Sequence, residues 1–131
     1  MLTDGVKLTV GEKELSLVLN TEAMAQLCEE FGDLEGVTDS LNNASYAERI
    51  RLIPRLIALL ATQGEAVKGN GEAITPEFVT RYTLPKDLPM LTGLFLRALE
   101  IGMNVKFNPE SEEQDEVLAE ILKNAHGAAG N

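Results

Sequence analysis

The stretch "VKLTVGEKELSLVLN", residues 6–20, decides the fold class, because apolar and polar residues alternate on both sides of a glycine. Apolar residues take every second position of both runs: Val6, Leu8 and Val10 before the turn, and Leu15, Leu17 and Leu19 after it. This alternation across Gly11-Glu12 predicts a β-hairpin over residues 6–19 with one buried face. An isolated hairpin is only marginally stable in water, so its apolar face must pack on the rest of the chain.

The chain after the hairpin has the apolar spacing of helices. From Thr21, a predicted N-cap, apolar residues recur at i, i+3, i+4 and i+7: Met24, Leu27, Cys28 and Phe31. Gly32 is suited to end this helix, and Asp33 to cap the next one. The sequence therefore predicts a mainly α (α+β) fold, in which an N-terminal β-hairpin packs on a bundle of about five to six helices.

The most buried helix is predicted from Tyr46 to about Gln63, behind a capping box formed by Ser45 and Glu48. Its apolar residues lie on several sides, as is typical of a central helix: Ile50, Leu52, Ile53, Leu56, Ile57, Leu59 and Leu60. Pro54 lies inside this segment and lacks a backbone N–H. We therefore expect a kink there, or a break into two helices.

Three further segments complete the predicted bundle. Residues 64–74, "GEAVKGNGEAI", are expected to form a flexible loop, and Thr75-Pro76-Glu77 to start a short helix. Asp87 and Pro89 open the next helix, which closes at Gly102, with these residues inward: Leu91, Leu94, Phe95, Ala98 and Leu99.

A terminal helix is predicted after a second capping box, Ser111 and Gln114. It carries an apolar stripe of Val117, Leu118, Ile121 and Leu122. We expect one domain over residues 1–124, with the hairpin at 6–19 and the bundle at 21–124. Residues 125–131, "AHGAAGN", lack apolar anchors and are expected to form a flexible C-terminal tail.

Composition excludes several classes of function. The chain has 131 residues and a formal charge of −10, so we expect neither a nucleic-acid binder nor a protein drawn to an anionic membrane. Its longest apolar run, residues 56–61, is far shorter than the roughly 20 residues that span a bilayer. A single cysteine forms no internal disulfide, and no signal peptide is evident at the N-terminus, which together indicate a cytoplasm.

The residues that most often carry chemistry are scarce. Cys28 lies in the apolar stripe of its helix and is interpreted as a core residue. His126, the one histidine, lies in the predicted tail, so no Cys–His pair, triad or closed zinc site is expected. No cofactor is expected either. With 21 acidic residues a pair of carboxylates acting as acid and base stays possible, although no spacing selects one.

Three stretches of the chain together carry a family resemblance: "VGEKELSLVLNTEAMAQLCEEFGDLEGV" (10–37), "LIPRLIALLATQG" (52–64) and "ITPEFVTRYTLPKDLPMLTGLFLRALEIG" (74–102). They resemble the tail assembly chaperones of long-tailed bacteriophages and prophages, and the likeness covers most of residues 5–105. The resemblance implies a non-enzymatic protein that binds the tail tape measure protein and helps the tail tube protein polymerise around it. It also implies a place in the cytoplasm of the bacterial host and absence from the mature virion.

The family has no catalytic residues to transfer, so the candidate partner-binding residues come from the pattern alone. The stripe Val117, Leu118, Ile121 and Leu122 is the candidate, with packing on its own domain as the alternative. A homo-oligomer is possible. Two other functions stay open: a cytoplasmic adaptor or oligomerising protein unrelated to phage, and a small acid-dependent enzyme.

Overall fold

A computed structural model describes residues 5–106, and about 67% of these residues are helical. Two strands come first, β1 (Val6–Val10) and β2 (Lys13–Leu17). Five α-helices and one 3-10 turn follow: α1 (Thr21–Phe31), α2 (Leu34–Asn43), α3 (Tyr46–Val67), α4 (Pro76–Arg81), the turn Pro85–Asp87 and α5 (Leu88–Met103). The predicted α+β class is therefore confirmed.

The predicted hairpin is confirmed in place and register. Strands β1 and β2 are antiparallel, with Leu8 opposite Leu15, and the chain reverses at Gly11, whose φ of 63° suits a glycine. The alternating residues Leu8, Val10, Leu15, Leu17 and Leu19 are all buried. One apolar face of the hairpin thus lies on the helices, as an isolated hairpin requires.

The second strand is buried on more than that one face, which the alternation did not predict. Ser16 and Val18 are only 1% and 4% exposed. The reason is helix α3, which lies along the edge of β2 not paired with β1: the Val18 N–H donates to the Leu60 carbonyl oxygen at 3.2 Å. Gly64 permits this approach, since a Cβ built on it would stand 1.9 Å from the Ser16 carbonyl oxygen.

Helices α1 and α2 are joined by a tight turn with the expected caps, apart from one shift. The N-cap of α1 is Asn20 rather than Thr21, because the Asn20 side-chain oxygen accepts from the Ala23 N–H at 2.9 Å. Gly32 ends the helix at a φ of 90°, as predicted. Asp33 caps α2 by accepting from the Gly36 N–H at 2.7 Å, which is also as predicted.

Helix α3 is the central helix, and it is longer than predicted. Its capping box is confirmed: Ser45 accepts from the Glu48 N–H, and Glu48 accepts from the Ser45 N–H. A kink or a break was expected at Pro54. The break is wrong, because α3 runs unbroken to Val67 with Pro54 buried inside it. Packing of its apolar sides against the hairpin, α4 and α5 offsets the missing backbone hydrogen bond.

The glycine-rich segment forms the predicted loop only over residues 68–74. Residues 64–67 belong to α3, and the rest is held at three points. The Thr62 hydroxyl accepts from the Ile74 N–H at 2.9 Å and donates to its carbonyl oxygen at 3.1 Å. Lys13 pairs with Glu72 at 3.2 Å, and the buried Glu65 accepts from the Asn70 side chain at 2.9 Å.

The C-terminal helices follow the predicted starts but not the predicted end. Thr75 caps α4 by accepting from the Phe78 N–H at 3.1 Å. Asp87 does not cap α5 with its side chain; it accepts from the Leu84 N–H and closes the preceding 3-10 turn. The left-handed residue that ends α5 is Asn104 at φ 56°, not Gly102. Gly102 lies within α5, where a Cβ would meet the Leu19 carbonyl oxygen at 2.5 Å.

Candidate protein-binding surfaces

An open groove lies where helices α1, α2 and α3 meet. It has a volume of about 560 Å³, and its apolar lining comes from the end of α1, the α2–α3 connection and the first turns of α3: Phe31, Ala44, Ala47 and Leu52. Phe31 and Leu52 are half-buried against the core, while Ala47 is exposed. The floor of the groove is therefore apolar, is supported by the core and faces solvent.

Two cations and one acid, Glu48, border this groove. Arg51 and Arg55 are four residues apart on α3, so they project from one side of the helix. Arg55 forms an ion pair with Glu30 of α1. Arg51 is exposed and has no ion-pair partner among residues 5–106. On a chain of net charge −10, this rim can accept an acidic group.

Local sequence sets the walls of the groove. The α1–α2 turn is compact because Gly36 has no Cβ, which would otherwise stand 2.0 Å from the Phe31 carbonyl oxygen. After α2, Ala44 is extended and Ser45 starts α3 with the capping box. The two caps fix the directions in which the three helices leave their turns, and hence the opening between them.

A second apolar surface lies along α5, and we call it the α5 face. Met90, Leu94, Arg97 and Ile101 are spaced by four, three and four residues, so they share one side of the helix. Met90 and Ile101 are 40% and 49% exposed, and Leu94 is half-buried. The buried residues of α5 lie off this face: Pro89, Leu91, Phe95, Ala98 and Leu99.

Of the residues singled out from the sequence, the structure describes Cys28 but neither His126 nor the predicted partner stripe. Cys28 is a free thiol, and its side chain is half-buried. The prediction that Cys28 is a core residue is therefore only partly correct. His126 lies outside the described residues. So does the predicted partner stripe, Val117, Leu118, Ile121 and Leu122, which stays a prediction.

The described acids do not converge on a shared centre. Within residues 5–106, no three His, Cys, Asp or Glu side chains are grouped so as to hold a metal ion. Glu65, which is 3% exposed, bonds to Asn70 and lies 3.9 Å from the Lys68 ammonium, at the end of α3 rather than at the groove. None of the helices in this range has the length and apolarity to cross a membrane.

Sequence reasoning missed the groove because its parts are far apart in the chain. Phe31 was assigned to the apolar stripe of α1, and the arginines belong to a different helix. The usable signal was "RIRLIPR", residues 49–55, which places three cations on one helix beside an apolar side. This pattern indicates a binding surface only once the positions of α1 and α2 relative to α3 are known.

Comparison of the chain with protein-family models, with curated proteins and with solved structures finds no match. The surfaces themselves therefore have to support any functional argument, together with the resemblance found in the sequence.

Proposed function

We propose that this protein is a non-enzymatic tail assembly chaperone, which binds a helical segment of the tail tape measure protein in the α1–α2–α3 groove. By holding that segment it assists polymerisation of the tail tube protein around the tape measure protein. It acts in the cytoplasm of the bacterial host and is absent from the mature virion. The proposal draws on the resemblance over residues 10–37, 52–64 and 74–102 and on the geometry of the groove.

The observation that carries this proposal is the combination of an apolar floor with Arg51, an exposed cation on the rim that has no ion-pair partner among residues 5–106. An amphipathic helix binds a groove by placing side chains at i, i+3, i+4 and i+7 on the floor. Phe31, Ala47 and Leu52 offer such a floor, and Arg51 is placed to pair with an acid beside the apolar stripe of the ligand. The expected ligand is therefore an amphipathic helix with acidic residues flanking its apolar side.

Ala47→Glu tests the groove without removing a core side chain. Ala47 is exposed in the free protein, so the added carboxylate costs little folding stability, yet a docked helix would bury it without a partner. Ala25→Glu is the matched control, because Ala25 is also an exposed helical alanine and does not line the groove. Each variant is co-expressed with the tape measure protein encoded by the same genome, and the complex is measured by size-exclusion chromatography.

We expect the wild type and Ala25→Glu to co-elute with the tape measure protein, and Ala47→Glu to lose at least tenfold in affinity. A tenfold loss corresponds to about 1.4 kcal/mol, which is less than the roughly 2–5 kcal/mol that an unpaired buried charge costs at an interface. Equal binding by Ala47→Glu and Ala25→Glu would place the contact elsewhere. No binding by the wild type would refute the proposed function itself.

A further inference from the structure

The α5 face leaves apolar area in water immediately before the part of the chain that follows residue 106. Met90 and Ile101 lie at its two ends, and Val105, just beyond the helix, is 46% exposed. Met90 and Ile101 lie on one side of α5, with the half-buried Leu94 and the exposed Arg97 between them. Such a continuous stripe is typical of a surface that packs against another helix.

We propose that residues 111–124 of the same chain cover the α5 face, as a helix antiparallel to α5. The proposal concerns the free protein and does not depend on the proposed function. It assigns the stripe Val117, Leu118, Ile121 and Leu122 to a contact within the chain, where the sequence had first suggested a partner. The groove is then the apolar surface left for a helical ligand.

Chain length fits this occupant. Residues 104–110 supply seven residues between α5 and Ser111, within the roughly 2–8 residues that commonly join neighbouring antiparallel helices. At about 1.5 Å per residue, a helix over residues 111–124 is about 21 Å long, against about 24 Å for α5. An antiparallel helix of that length runs back along the α5 face from Ile101 to Met90.

Charge fits as well. Residues 107–124 contain six acids and a single lysine: Glu110, Glu112, Glu113, Asp115, Glu116, Glu120 and Lys123. Arg97 is exposed in the middle of the α5 face. In the antiparallel arrangement Arg97 lies level with Val117, within a turn of Glu113 and Glu120, which flank the apolar stripe on a helix. The remaining acids project to water.

Paramagnetic broadening in the full-length protein tests the docking directly. A spin label is attached at Lys86→Cys, beside the start of α5 but off its face, in a Cys28→Ser background that removes the native thiol. The control label is placed at Asp39→Cys, an exposed position on α2 beside the groove. Backbone amide signals are then followed over residues 117–124.

We expect the Lys86 label to broaden these signals, most strongly at residues 121–124, and the Asp39 label to leave them sharp. Adding Ile101→Glu should restore the lost signals by placing a charge on the α5 face. Leu84→Glu should not restore them, because Leu84 is 60% exposed and lies off that face. The two Glu variants are matched in chemistry and in exposure before docking.

Three results would overturn the inference. Sharp signals with both labels would mean that the segment does not dock, and broadening from the Asp39 label would place it in the groove. A mixture of labelled protein without ¹⁵N and unlabelled protein with ¹⁵N detects docking between copies. Broadening of residues 117–124 in that mixture would assign the contact to a second copy of the chain.

Discussion

Replacing Gly64 by alanine tests how the hairpin is attached to the bundle. In an ordinary helix interior this change stabilises by about 0.5–1 kcal/mol. Here the new Cβ would stand 1.9 Å from the Ser16 carbonyl oxygen, whereas an ordinary contact is 3.4–4 Å. Helix α3 must therefore move from β2 by about 1.5 Å, which strains the Val18–Leu60 hydrogen bond and the apolar packing beneath it.

Overpacking of a well-packed core costs about 1–3 kcal/mol, and the obstacle here is backbone, which cannot swing aside as a side chain can. We expect a net loss near 2 kcal/mol in the free energy of unfolding, and a fall of about 8 °C in the melting temperature. Urea unfolding followed by circular dichroism measures the free energy by linear extrapolation.

Gly71→Ala is the control for the Gly64 experiment. A Cβ on Gly71 meets nothing within 4 Å, so the change should be neutral or should stabilise by up to about 1 kcal/mol through the unfolded state. If Gly64→Ala proved as stable as Gly71→Ala, the close approach of α3 to β2 would be refuted.

Three further changes follow from the caps and loop contacts. Ser45→Ala removes the side-chain half of the α3 capping box and should lower the free energy of unfolding by about 1 kcal/mol in a urea titration; no change would mean that the box does not support α3. Thr62→Val keeps the shape but leaves the Ile74 N–H without its acceptor, so we expect a loss of about 1–3 kcal/mol and faster hydrogen exchange at Ile74. Unchanged exchange there would contradict the anchoring of the loop. Glu72→Gln breaks only the exposed pair with Lys13 and should shift stability by less than about 1 kcal/mol, so a larger loss by the same titration would show a stronger role for that pair.

The elements predicted correctly from the sequence are those that neighbouring residues determine. The hairpin follows from alternation and a turn glycine, and the caps at Asp33, Ser45 and Thr75 each bond to an N–H three residues away. Such signals need no knowledge of distant parts of the chain. They were sufficient to place both strands and the start of most helices.

The errors arose where distant segments meet. Pro54 was expected to kink or break α3, and no break occurs, because burial of that helix on several sides keeps it continuous. Residues 64–67 were assigned to a loop because of their composition. They are helical, and the missing side chain of Gly64 lets strand β2 lie close to α3. Gly102 was interpreted as a helix end, while it makes room for Leu19. In each case packing between elements outweighs the local propensity of the residue.

The groove was beyond prediction for the same reason. Its floor joins Phe31 to Leu52, and its rim depends on which side of α3 faces α1 and α2. Sequence periodicity indicates that a helix has an apolar side but not where a neighbouring helix leaves that side uncovered. The α5 face could be named only after the buried side of α5 was known.

The proposed function requires that this chain bind the tape measure protein inside the cell. Affinity purification of the tagged protein from the infected cell or induced lysogen, with mass spectrometry of what is retained, measures this binding. We expect the wild type and Ala25→Glu to recover the long tape measure protein, and Ala47→Glu to lose it. Recovery of a metabolic complex in its place, or of no tail protein at all, would refute the proposed function.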